Sequence, residues 1–144
     1  MKKICFWVMV ISLFSACTRD VTEVTQVVGP NIFTDNYTIG DNDWIKGTDD
    51  KTGIYYYCTF NVPELTQNVF NNGILQAFLY GRNIDTLCPL PYSDFLVDDN
   101  NNQWEEHFTV EFEKGAITFI LKESDHAGML PFYTEYRFFV RLLW

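Results

Sequence analysis

Lysine and arginine are scarce in this chain of 144 residues: ten stand against nineteen aspartates and glutamates, for a net charge of −9. An acidic chain whose few cations are scattered has no patch to neutralise phosphates, so neither nucleic acid nor anionic lipid head groups are expected as partners. Only two histidines occur, His107 and His126, too few for a zinc motif, and no serine or cysteine sits in a recognisable nucleophile elbow. The leading apolar run, residues 4–16, falls short of the roughly 20 residues that a membrane span needs. Aromatics, by contrast, are plentiful. Thirteen Phe, eight Tyr and four Trp argue for a packed core, because disordered chains are poor in aromatics.

The first seventeen residues have their own grammar. Lys2 and Lys3 precede the uncharged run, which closes on Leu13-Phe14-Ser15-Ala16-Cys17. A charged start, a short apolar centre and a small-residue exit mark an export signal. With cysteine at the exit, the segment resembles the signal peptide and lipobox of a bacterial lipoprotein; Phe14, where Leu is usual, is its one departure. The resemblance implies a cut before Cys17, a diacylglyceryl group on its sulfur and an acylated amine. Each buried methylene contributes about 0.8 kcal/mol and stable anchoring takes more than one chain, so three acyl chains would suffice. Residues 1–16 are thus expected to be a signal peptide, and 17–30 a lipidated cysteine with a polar tether. Removing residues 1–16 deletes two lysines and no acid, which moves the charge to −11.

Residues 31–144 fit a single domain. Their dominant period is two, the mark of half-buried strands. Ile54, Tyr56, Cys58, Phe60 and Val62 share one face, leaving Tyr55, Tyr57, Thr59 and Asn61 on the other. Trp104, Glu106, Phe108, Val110 and Phe112 repeat the pattern, as do Tyr136, Phe138, Val140 and Leu142. Asn-Asn-Gly at 71–73, the polar loop 98–102 and Lys114-Gly115 supply turns. Pro89 and Pro91 require any strand between residues 87 and 97 to start late or lie at an edge. A short helix is expected near 64–71, after Pro63 and before Gly73. The expected fold is an all-β sandwich of seven to eight mostly antiparallel strands with Greek-key connections.

Three stretches carry a second resemblance: V-P-E-L-T-Q-N-V-F-N-N-G-I-L at 62–75, P-L-P-Y at 89–92 and Y-R-F-F-V-R-L-L at 136–143. Together with the lipobox they resemble a group of small Bacteroidota lipoproteins that carry one β-sandwich domain, here without the collagen-like Gly-Pro tether of some members. The group implies fold and a Gram-negative envelope location, and it brings no activity with it. Thr18 after the cysteine is not the aspartate of the inner-membrane retention rule, which implies the outer membrane, on its periplasmic face or at the cell surface.

Candidate chemistry is sparse. Cys58 and Cys88 are the two cysteines left to pair. A bridge closing about 30 residues would stabilise by roughly 3–4 kcal/mol, whereas Cys58 at a core-facing position also reads as a small hydrophobe. Asp98, Asn100 and Asn102 echo the start of a calcium loop, but Gln103 replaces its glycine and Thr109 its glutamate. Asp41, Asp43, Asp49 and Asp50 cluster without ligand spacing. Glu106 is the one acid on a core-facing side, placed at the sandwich rim. These features predict no enzyme, cofactor or metal site. The expected role is structural or protein-interacting in the envelope, with an envelope protein as partner. The alternative is a carbohydrate-binding module in which Trp44, Tyr55 and Tyr57 form an exposed aromatic platform for a glycan.

The lipobox generates a direct test. Metabolic labelling with a palmitate analogue should mark the wild-type chain, and Cys17→Ser should abolish the label. Undiminished label in that variant would refute lipidation at Cys17.

Overall fold

Residues 135–143 show how alternation becomes architecture. Tyr136, Phe138, Val140 and Leu142 are all at most 5% exposed, while Arg137 and Arg141 between them face outward. A β-strand sends successive side chains to opposite faces, so this pattern buries one face only. The computed structural model describes residues 29–51, 53–81, 85–124 and 135–144. Within these, the chain forms β1 (Ile32–Gly40), β2 (Ile45–Asp49), β3 (Gly53–Asn61), α1 (Gln67–Asn72), β4 (Ile74–Tyr80), β5 (Leu87–Pro89), β6 (Tyr92–Val97), β7 (Gln103–Glu113), β8 (Ala116–Glu123) and β9 (Glu135–Leu143). The signal segment, Cys17, the tether up to residue 28 and His126 lie outside the described residues.

The strands make two antiparallel sheets, a four-stranded one in the order β1-β9-β4-β5 and a five-stranded one in the order β2-β3-β8-β7-β6. They face each other as a β-sandwich. The chain changes sheet between β1 and β2, β3 and β4, β5 and β6, and β8 and β9, which puts β9 between β1 and β4 and β8 beside β3. The described strands number nine, one or two above expectation, because the proline-broken stretch holds two short strands. Both are edge strands: β5 ends at Pro89 on one sheet, and β6 begins after Pro91 on the other. Proline cannot donate to a ladder, so it stands where one side of the strand is open.

Turns behave as their composition directs. Gly115 adopts φ +81° between β7 and β8, a conformation that costs other residues strain. Asp98 takes hydrogen bonds from the backbone N–H groups of Asn100 and Asn102 and from the Asn102 side chain. Those bonds, with the Asn102 side chain foremost, hold its carboxyl below the usual range. The calcium-like spelling is thus a self-satisfied hairpin turn. The helix starts later than expected, at Gln67, because Thr66 caps it by accepting from the Val69 N–H at 3.4 Å. Pro63 and Glu64 lie in the preceding turn.

The core joins the two sheets through aromatic contacts, and Val69 adds α1 to it. Phe119 on β8 stacks on Phe138 on β9 with centroids 4.2 Å apart, and Phe108 meets Tyr136 at 5.0 Å. Tyr37 packs on Phe60 at 4.7 Å. Burial and then Asp35 push its phenol up to about 12. Val62, Leu65 and Val69 seal one end beside the helix.

β9 holds the four-stranded sheet together. Phe138→Ala should cost about 3–5 kcal/mol, read as a shifted urea midpoint. Deleting residues 136–144 removes every partner of β1 except Glu135, together with the long ladder of β4, and should leave insoluble or unfolded protein. A soluble truncated domain with a cooperative melt would show that β9 is accessory.

Candidate functional site

Two concavities are built from the strands. The larger, of about 470 Å³, opens between the sheets and is lined by the ends of β4 and β9 with Tyr92, Asp94, Glu106 and Phe108. Asp94, Glu106 and Glu123 are cross-strand partners on β6, β7 and β8, so three carboxyl groups share the inward face in one row. Glu106 is completely buried and Glu123 is 6% exposed. The rim position expected for Glu106 is therefore corrected. It lies deeper, where the Tyr136 hydroxyl donates to its Oε2 at 2.5 Å. Burial of a carboxyl group demands such a partner. Glu123 has no local signal in the sequence, because its place in this row is set by the register of β8 on β7.

The second concavity is a groove of about 380 Å³ on the outer face of the five-stranded sheet, lined by Asp49, Tyr55, Tyr57, Thr59, Glu111, Thr118, Ile120 and Lys122. Tyr55 and Tyr57 stand side by side on β3 with ring centroids 5.9 Å apart and planes inclined at 39°. Tyr55 pairs across to Gly47 on β2. A Cβ at Gly47 would lie 2.5 Å from the Tyr55 ring, so the missing side chain is what lets that ring lie down across the neighbouring strand. Next to the rings, the Thr59 and Thr118 hydroxyls meet at 2.9 Å. Glu111, the cross-strand partner of Thr118, and Lys122, two residues along β8 from Ile120, add charge of both signs. Farther along the same outward face, Ser93 and the His107 Nδ1 are 2.8 Å apart.

The structure thus keeps two of the three aromatics expected at a platform and removes the third. Trp44 is 9% exposed and meets Tyr136 edge-on at 6.2 Å, inside the core. It precedes β2 directly after a turn, where period-two alternation gives no direction, so its inward turn was not legible. Its Nε1 has no hydrogen-bond partner among the described residues. The other groove residues were legible as outward-facing, but their convergence depends on which strands are neighbours.

The two cysteines are free thiols on different sheets, both half-buried against the core. The disulfide is corrected accordingly: each thiol fills apolar space in its own layer, and burial, then Asp43, pushes the Cys58 thiol up. In the acidic cluster, Asp43 accepts from the Gly40 N–H and Asp49 from the Lys51 N–H, which are turn contacts. Among the described residues no group of three His, Cys, Asp or Glu is arranged to hold a metal ion. No protein-family model, curated protein or solved structure matches the chain.

The buried carboxyl contact yields a stability prediction. Tyr136→Phe removes the donor and leaves Glu106 Oε2 short of a bond, which should cost about 1–3 kcal/mol. A urea midpoint identical to wild type would show that the bond adds nothing net.

Proposed function

We propose that this chain is an outer-membrane lipoprotein, acylated at Cys17, whose sandwich is a non-catalytic carbohydrate-binding module. The observation that carries the binding role is the Tyr55–Tyr57 pair in an open groove, with one ring laid over Gly47. Sugars offer C–H faces to aromatic rings and hydroxyl groups to polar neighbours. The groove supplies both, with hydroxyls at Thr59 and Thr118 and carboxylates at Glu111 and Asp49. Its volume lies within the range of small-molecule sites.

The inter-sheet cleft is larger but less suited to a sugar, because Glu106 is fully buried and already bonded to Tyr136. The groove also favours a saccharide over a purely structural or protein-interacting role. A protein partner would be better served by a flat apolar centre than by a shallow trough edged with carboxylates and hydroxyls.

A glycan array probed with the acylated or soluble protein tests this reading. Binding should appear on the parent and fall roughly tenfold or more in Tyr55→Ala/Tyr57→Ala, the loss of about 1.4 kcal/mol or more of contact. The melting temperature should barely move, because the rings lie outside the core. Gly47→Ala should also weaken binding by lifting the Tyr55 ring. Equal binding by parent and double variant, or no glycan hit on the parent, would overturn the carbohydrate reading.

A further inference from the structure

The groove beside Tyr55 and Tyr57 has a direction as well as a lining. Tyr55, Tyr57 and Thr59 are successive outward positions on β3, and Thr118, Ile120 and Lys122 are successive outward positions on β8. The two strands are antiparallel neighbours, with Tyr57 opposite Ile120 and Thr59 opposite Thr118. The groove therefore runs along the strands rather than across them. From Tyr55 to Thr59 is about 13 Å at the rise of an extended strand. That is longer than one sugar ring.

The chemistry changes along this length. Aromatic faces lie at the Tyr55 end. The Thr59 and Thr118 hydroxyls, 2.9 Å apart, lie at the other end beside Glu111, the cross-strand partner of Thr118. A pyranose stacked on the rings leaves those hydroxyls and that carboxylate for the next sugar of a chain. A site for a chain terminus needs a wall against its last sugar. Here exposed side chains mark both ends, Asp49 at one and Thr59 and Glu111 at the other.

The rings also speak against a flat ligand. Their planes are inclined at 39°, so the two cannot lie together on one level surface of packed chains. Inclined rings suit a single free chain whose successive sugars turn about its axis.

We propose that the groove holds an internal stretch of one soluble, linear polysaccharide chain laid along β3 and β8. The proposal rests on the carbohydrate reading of the preceding subsection, but not on the Cys17 anchor. Sugars stack on Tyr55 and Tyr57, and a following unit hydrogen-bonds to Thr59, Thr118 and Glu111. A monosaccharide reaches only part of this set, whereas a chain reaches all of it.

Binding measured against chain length tests this. The protein is first run through native gels that hold hydroxyethyl cellulose, glucomannan, amylose or pullulan. Oligosaccharides of increasing length from the polymer that retards it are then titrated by calorimetry. Affinity should rise at least about tenfold from monosaccharide to trisaccharide. A methyl cap on either end of the trisaccharide should change little. Thr59→Ala/Thr118→Ala should weaken the trisaccharide about fivefold and leave the monosaccharide unchanged, whereas Tyr55→Ala should weaken both. Glu111→Gln, at an exposed position, repeats the test should the threonine pair prove necessary for folding.

A monosaccharide bound as tightly as the trisaccharide would overturn the proposal and leave the carbohydrate reading standing. So would loss of binding on capping an end, array hits confined to terminal sugars, or retention on crystalline cellulose or chitin in place of soluble chains. Binding to no polymer and no array glycan would overturn both.

Discussion

Phe119 and Phe138 stack across the gap between the sheets at 4.2 Å, and every other part of the sandwich is arranged around that contact. Phe138 belongs to the strand that joins β1 to β4, and Phe119 to the strand that joins β3 to β7. The inner side chains of these two central strands therefore set the separation and alignment of the layers. Phe108, Tyr136, Tyr37 and Phe60 extend the same aromatic seam to either side. With the two layers fixed by their inner faces, the outer faces are free to differ, and the acid-rich groove lies on the five-stranded one.

Much of this was legible because alternation is a local property. The inward set on β9 and on β7 follows from a period of two, whatever the partners are. The same rule put Tyr55 and Tyr57 outside and Glu106 inside, as the structure has them. What could not be read is everything set by pairing between distant strands. Thr59 meets Thr118 only because β3 lies beside β8, and Glu106 falls in line with Glu123 only through the register of β7 on β8. Trp44 shows the other limit. It sits between a turn and a strand, where neither period applies, and its inward direction follows from the space beside Tyr136.

Gly47 shows how one small residue links fold to surface chemistry. Glycine in a strand interior weakens it by loss of packing and greater chain entropy. Here it lies on β2, an edge strand, and the Tyr55 ring takes the space a side chain would fill. The neighbouring ring thus covers backbone that would otherwise be bare. A local weakness of the strand and a flat aromatic surface have the same origin.

The position of β9 also has a consequence in time. It is the last of the described strands in the chain, yet it forms the middle of its sheet. A chain emerging N-terminus first presents β1 and β4 with no strand between them, their ladder groups open and their apolar inner faces uncovered. Neither can find its long-range partner until residues 135–143 have been made, and contacts this far apart in sequence slow folding. Assembly of the four-stranded layer is therefore completed late, when β9 pairs with both β1 and β4. The five-stranded layer, whose strands are all made by residue 123, has no such wait, so the two layers differ in when they can close.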